Sequence, residues 1–403
     1  MNREHPIGRP YHLAPAFCAV SVKVLAAAAL ACLAVSLLGL TQEIGRHYMH
    51  SWLVSFAFYL SISLGGLFMV MIHHVTGARW STSLRRIAEQ IARLIPLLAV
   101  LLVPIVLLMN HSSLLYDWTN PKWLEDHPLV EMKTAYLNVS FFVIRMVVYF
   151  AVWIGLVGIL WRRSVRQDRT GDPALTVAMR RWSPPGLILF GLTVTFASFD
   201  LLMSLEPAWY STIFGVYYFA GSVVGILSFM VLVIFMLDIM GVAGRAISRE
   251  HYHDMGKLLF GFVLFWAYIA FSQVLLIWYG NIPEETLWLK QRWEGGWRGV
   301  SLLLLFGHFV IPFLLLLPRT VKRLKPAMAA ISAWLLLMHY LDLYWVVMPA
   351  AGAGHAAFHW SDVFILLGMG ALLLAVLIHL LGRTAVVPVR DPLLADSMAI
   401  DRM

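Results

Sequence analysis

Two stretches decide the fold: Phe199-Asp200-Leu201-Leu202-Met203-Ser204-Leu205-Glu206-Pro207 and Leu341-Asp342-Leu343-Tyr344-Trp345-Val346-Val347-Met348-Pro349. Each sets an aspartate inside an apolar run long enough to cross a bilayer, with a proline seven residues later. A carboxylate at the centre of a membrane helix costs roughly 2.5–3.5 kcal/mol on insertion scales. Two of them at matched positions point to an internal repeat and to a polar path through the membrane.

The rest of the chain agrees with a membrane protein. Of its 403 residues, 60% are hydrophobic and 13% charged, and the mean hydropathy is +0.77. Soluble domains run nearer to about 25% charged. Apolar runs fall near 19–41, 51–75, 91–109, 134–161, 186–206, 212–239, 254–281, 298–317, 326–348 and 362–382. They predict an all-α integral membrane protein of ten transmembrane helices. The first run carries Lys23 within it and no clear small-x-small cleavage site follows it, so it reads as helix one and not as a signal peptide.

The net charge of +8 is topological and is no nucleic-acid signal. Alternate loops and the two tails hold 21 of the Lys and Arg residues, the other loops hold 6, and Lys23, Arg93 and Arg145 fall in spans. The positive-inside rule then puts both termini in the cytoplasm. The loop between spans four and five, with Arg162, Arg163, Arg166, Arg169, Arg180 and Arg181, is the strongest inside marker and a natural contact for anionic lipid. On the opposite face, segments 110–133 and 282–297 are rich in Trp and acids, which fits an interfacial belt or the docking of a partner protein.

A repeat accounts for the matched aspartates. Asp200 and Asp342 are offset by 142 residues; Phe58-Tyr59, Ser63 and Gly66 match Tyr217-Tyr218, Ser222 and Gly225 at an offset of 159. Both offsets shift the chain by four spans. An even shift preserves direction, so the repeat is parallel. The expected organisation is a tail with helix 1 (1–50), a first four-helix bundle (51–211), a second (212–350), and helix 10 with a tail (351–403).

The candidate chemistry lies within these spans. Arg145 on helix four and Asp200 on helix five can reach one depth and pair; a structural ion pair competes with a proton-carrying role. His308, His339 and Asp342 form a second group, with His339 and Asp342 three residues apart on one helix face. Tyr59, Tyr218 and Ser222, with Ser63, Ser140 and Thr195, could extend a hydrogen-bonded relay. Gly65-Gly66, Gly221 and Gly225 read as close helix packing. His73 and His74 read as interfacial, and Glu206 as a path mouth or a solvated group. Cys18 and Cys32 lie about 21 Å apart along a helix at 1.5 Å per residue. No motif for c-type haem, an iron–sulfur cluster or another metal is present. Haem b between His308 and His339 is disfavoured, because no helix has the histidine spacing of a two-haem bundle.

The stretch from Ser198 to Gly221, with Phe199-Asp200-Leu201, Glu206-Pro207-Ala208-Trp209-Tyr210-Ser211-Thr212 and Gly215-Val216-Tyr217-Tyr218, resembles the NrfD/polysulfide-reductase membrane subunits. So does helix four, from Tyr136-Leu137-Asn138 to Arg145. The block from His253-Asp254-Met255-Gly256-Lys257 to Gly280-Asn281-Ile282-Pro283-Glu284-Glu285 is most similar to the ActF-type subunits of bacterial alternative complex III. The resemblance implies two four-helix bundles and a subunit of a quinol:cytochrome c or quinol:oxidase oxidoreductase in the bacterial cytoplasmic (inner) membrane. Its implied partners are a sister NrfD-like ten-helix subunit, an iron–sulfur subunit, and multihaem and monohaem cytochromes c, with membrane lipid around them and no nucleic acid. Haem and iron–sulfur centres would sit on those partners. The quinol-oxidising sister has Trp-His-Thr-Thr where this chain has Trp209-Tyr210-Ser211-Thr212. A tyrosine is no near-neutral proton acceptor, which counts against oxidation of quinol or menaquinol here. Asp200 and Asp342 would then carry protons, tuned by Arg145, His308 and His339. A secondary transporter or a purely structural anchor of the complex are the alternatives.

Overall fold

The computed structural model describes residues 11–41, 45–109, 114–244, 246–352, 356 and 358–400. The first part of the N-terminal tail, with Arg3 and Arg9, lies outside the described residues, as does Arg402. Among the described residues ten helices are long and apolar enough to cross a membrane: α1 (Pro15–Leu40), α2 (Gly45–Thr76), α3 (Thr82–Leu108), α4 (Val139–Thr170), α5 (Pro173–Leu205), α6 (Phe214–Ile239), α7 (Arg249–Gly280), α8 (Trp297–Leu316), α9 (Lys325–Ala351) and α10 (Trp360–Gly382). Among the described residues there is no β-strand. In lipid a helix satisfies nearly every backbone group within itself, which is why apolar runs of this length become helices.

Two helices form the centre. α2 and α6 pack against each other and are buried on nearly all sides. Around α2 lie α3, α5, α9 and α10; around α6 lie α5, α7 and α9. Other adjacent pairs include α3 with α4, α4 with α5, α7 with α8, and α8 with α9. α1 touches mainly α10 and leaves most of its surface exposed. The closest approach of the central pair is at Gly65, where a Cβ would come within 2.6 Å of the Ser222 carbonyl and of Ile226.

The structure changes several boundaries. α4 runs on to Thr170 and α5 starts at Pro173, so the six arginines expected in a long loop stand on two helix ends. Gly171 (φ +70°) terminates α4, and the Asp172 side chain accepts the Ala174 N–H at 2.9 Å to open α5, with Pro173 at its first position. α3 begins nine residues before the apolar run. Its first turns bury Arg85, Arg86, Glu89 and Gln90. They are offset there by partners from far away in sequence. Arg85 binds Glu89 (2.9 Å) and Asp391 (2.5 Å), Arg86 pairs with Asp168, and Ser164 donates to Glu89 at 2.8 Å. The tail segment 384–398 folds back over this end. Val386 N–H donates to Tyr11 O (2.8 Å), and Ser397 meets Ser83 (2.9 Å) and the Trp80 carbonyl (2.8 Å). Tyr11 and the segment 384–398 therefore lie against each other at this end of the described residues. His73 and His74, expected at an interface, are buried beside it, with His73 Nδ1 2.7 Å from Ser81 Oγ.

Candidate functional site

The first matched aspartate is closed off. Asn138 caps α4 by accepting the Phe141 N–H (2.9 Å), which sets Arg145 two turns into the helix. Arg145 Nε donates to Asp200 Oδ2 at 2.9 Å and Nη2 donates to Oδ1 at 2.8 Å. Tyr149, one turn further along α4, donates its hydroxyl to Oδ2 at 2.8 Å. The guanidinium also donates to the Tyr136 carbonyl (2.9 Å) and lies 3.8 Å from the Tyr136 ring centre. Burial, followed by the nearby Asp200 carboxylate, pushes the Tyr136 phenol up to about 12. It therefore stays neutral beneath the cation. A forked Arg–carboxylate pair with a third donor leaves Asp200 little capacity for another partner.

The second matched aspartate differs. Asp342 is buried, with Tyr217 donating to Oδ1 and Trp266 Nε1 donating to Oδ2 at 3.2 Å. Both donors are neutral. Among the described residues no cationic side chain pairs with it. His339, three residues earlier on α9, lies beside it. A Cβ placed on Gly221 would be 2.8 Å from His339 Cε1 and 3.9 Å from Asp342 Oδ2. His339 Nε2 is 2.8 Å from Ser61 Oγ. Ser61 gives its only hydrogen to Phe58 O at 2.7 Å, which assigns the imidazole proton to Nε2. Nδ1 then keeps a lone pair and has no hydrogen-bond partner. His308 is fully buried, and neither of its ring nitrogens has one. Its ring lies 4.0 Å from Trp266 and 6.5 Å from His339, centre to centre.

His308 is aimed by a local irregularity. Residues Leu305–Val310 form a π-helical turn just before Pro312. Proline lacks an N–H, so the ladder is interrupted there, and Trp334 Nε1 donates to the Gly307 carbonyl at 2.7 Å. Such π-turns recur at functional sites.

The other residues singled out in the sequence are placed differently. The hydroxyls of Tyr59, Tyr218 and Ser222 donate to the carbonyls of Leu366 (2.9 Å), Ala57 (2.9 Å) and Tyr218 (2.7 Å), and none meets Asp342. Gly221 and Gly225 make room for the His339 ring as well as for helix contact; a Cβ on Gly225 would be 2.9 Å from His339 Cδ2. Glu206 is half-buried and paired: it accepts two 3.1 Å bonds from the buried Arg292. Arg292 also donates to the carbonyls of Trp288 (2.9 Å), Trp345 (3.2 Å) and Val346 (2.7 Å). In the diverged tetrapeptide, Trp209 stacks on Trp288 at 4.3 Å and Tyr210 is exposed. The sequence reading missed Tyr217, Trp266, Tyr149, Ser61 and Arg292. Tyr149 had a readable signal, since it lies four residues from Arg145 on one face.

A cavity of about 650 Å³ reaches Asp342 from the side. Its inner end is Asp342, Tyr217 and Trp266; Trp288, Trp345 and Phe309 form walls. Phe271, Trp278 and Leu305 line its mouth between α7 and α8 and are exposed. Among the described residues there is no cluster of three or more metal-type ligands.

No family model matches the chain, and a search of curated proteins finds no match to it.

Proposed function

We propose that the chain is a membrane subunit of a quinol:electron-acceptor oxidoreductase of the alternative complex III type, contributing a proton path rather than a redox centre. The observation that carries the proton role is Asp342, a buried carboxylate with two neutral donors, no paired cation, and two incompletely partnered imidazoles beside it. In this reading Asp342 exchanges the proton and His339 and His308 relay it. Asp200, held by Arg145, braces α4 against α5. Tyr59, Tyr218 and Ser222 support the central helices. A redox change on a neighbouring subunit would act on Asp342 through its field.

The assignment to that complex rests on the two sequence blocks named above. It brings with it a sister ten-helix subunit, an iron–sulfur subunit, cytochromes c and the bacterial cytoplasmic membrane, with both termini cytoplasmic. It also brings the parallel repeat of α2–α5 and α6–α9. In support, α2 packs on α3 and α5, and α6 packs on α7 and α9. The test is purification of the tagged chain in mild detergent, with visible spectra and mass spectrometry. Cytochromes c and an iron–sulfur subunit should follow it. A colourless protein purified alone, from a detergent in which the complex survives, overturns the assignment. Within the complex, Asp342→Asn should lower the proton-to-electron ratio; an unchanged ratio overturns the proton role. The π-turn of α8 and the side-opening cavity favour, as a second reading, a carrier for a membrane-soluble solute.

A further inference from the structure

We infer that the cavity between α7, α8 and α9 is a binding site for a lipophilic cation, a hydrophobic amine that arrives from the bilayer and sets its charged head against Asp342. Three observations combine. The cavity, at about 650 Å³, lies within the usual range for small-molecule sites. Its inner end holds a carboxylate whose only hydrogen-bond partners among the described residues are the neutral donors Tyr217 and Trp266. Its lining is aromatic: Trp266 and Phe309 lie beside the carboxylate's side of the cavity, while Trp288 and Trp345 already carry the Arg292 guanidinium at 3.8 and 5.4 Å from their ring centres. A carboxylate walled by aromatic rings is a recognition element for cations: the ring quadrupoles and the carboxylate attract the same charge, and the attraction grows when water is excluded.

The two cations already at the cavity leave that position open. Arg292 is spent on Glu206, three backbone carbonyls and the rings of Trp288 and Trp345, which leaves Trp266 and Phe309 as the rings beside Asp342 for a second cation. Lys290 is on the loop helix Pro283–Gln291, and its exposed side chain lies 3.8 Å from Glu294. The mouth sets the other half of the ligand. Phe271, Trp278 and Leu305 are exposed where lipid would lie, so an apolar tail can remain in the bilayer while the head goes in. A neutral head would forfeit the charge attraction, and an anion would be repelled.

The site stands on the cavity and on the missing counter-cation, whether or not the chain carries protons. Proton-to-electron stoichiometry reads the one and ligand binding reads the other. The probe is mono-dansylated 1,8-diaminooctane, whose free amine is cationic, compared with its N-acetylated neutral counterpart. Binding is read by energy transfer from protein tryptophan in nanodiscs of zwitterionic lipid, with empty nanodiscs subtracted. The amine should bind about tenfold or more tightly than the amide, as expected from a desolvated cation–aromatic contact joined to a carboxylate. Asp342→Asn should remove that preference. Ala270→Trp, which fills the cavity from α7, should remove saturable binding of both probes. Tyr217→Phe takes away one neutral donor and should keep or enlarge the preference for the amine, which guards against reading a misfolded Asp342→Asn protein as support. Equal binding of amine and amide, a preference that survives Asp342→Asn, or saturable binding that survives Ala270→Trp overturns the inference.

Discussion

Arg145 grips Asp200 with two parallel N–H···O bonds of 2.9 and 2.8 Å, so one of the two matched aspartates carries its own counter-charge. Asp342, its counterpart on α9, has the Tyr217 hydroxyl and the Trp266 indole in that place. The same residue type, seven residues before a proline in both segments, therefore faces two kinds of surroundings, an ion pair and a neutral pocket. The forked cation occupies both oxygens of one carboxylate with charge-assisted bonds, whereas the other is held by neutral donors.

Removing the cation should therefore harm the fold. Arg145→Leu leaves Asp200 buried and uncompensated, and the expected loss is about 3–5 kcal/mol. Arg145→Lys recovers only part, because an ammonium cannot make the two parallel bonds. The double variant Arg145→Leu/Asp200→Leu should be more stable than Arg145→Leu alone. Denaturation of the purified protein in detergent measures all three.

The glycines around His339 allow a graded test. Gly221→Ala and Gly225→Ala each drive a methyl into the imidazole, at 2.8 and 2.9 Å. Each should cost about 1–3 kcal/mol, typical of overpacking, and should disturb the His339–Ser61 contact. Gly155, Gly158 and Gly191 have nothing within 4 Å of an added Cβ. Alanine there should be neutral or stabilising by up to about 1 kcal/mol. Melting curves of the five variants, with the histidine resonances of the first two, decide the point. Equal losses in both groups would contradict the packing described at His339.

The two aspartates should separate spectroscopically. In redox-induced infrared difference spectra of the complex, a carboxylic-acid band should be lost in Asp342→Asn and persist in Asp200→Asn. The thermal melt should show the reverse order. Asp200→Asn breaks the Arg145 pair and should cost about 3–5 kcal/mol, while Asp342→Asn replaces a group that has no charge partner and should cost less. A band that persists in Asp342→Asn would remove it from any proton path.

How much of this was legible in the sequence follows from how local each signal is. Ten spans could be read because each is a run of about 20 apolar residues, a property of its own stretch of chain. The approach of Arg145 to Asp200 followed from their depths in adjacent spans. The polar start of α3 could not be read that way. Arg85, Arg86 and Glu89 look soluble until Asp168 and Asp391, distant in sequence, are seen to meet them. Tyr217 was missed in favour of Tyr218 because one residue is about 100° of helix rotation, and a run of apolar residues on every face gives no phase. The π-turn at His308 changes the phase of α8 in mid-helix, which no regular periodicity reports.

Arg292 offers a last test, away from the membrane centre. It lies between α7 and α8 and joins three segments, donating to Glu206, to the Trp288 carbonyl of its own loop helix, and to the carbonyls of Trp345 and Val346 at the end of α9. Burial pushes its guanidinium down from the ordinary value and Glu206 works against that, so the pair depends on both members. Arg292→Met removes the cation and leaves Glu206 and the α9 carbonyls without their donors, at an expected cost of about 3–5 kcal/mol. The damage should be local: faster hydrogen exchange in the loop helix Pro283–Gln291 and at the end of α9, with α2 and α3 unchanged. Arg292→Lys should not rescue it, since a single ammonium cannot span Glu206 and three carbonyls. Glu206→Gln keeps an acceptor but drops the charge, and should lie between wild type and Arg292→Met. If the loop helix exchanges at the wild-type rate in Arg292→Met, its position is held by the Trp209–Trp288 stack and not by the ion pair.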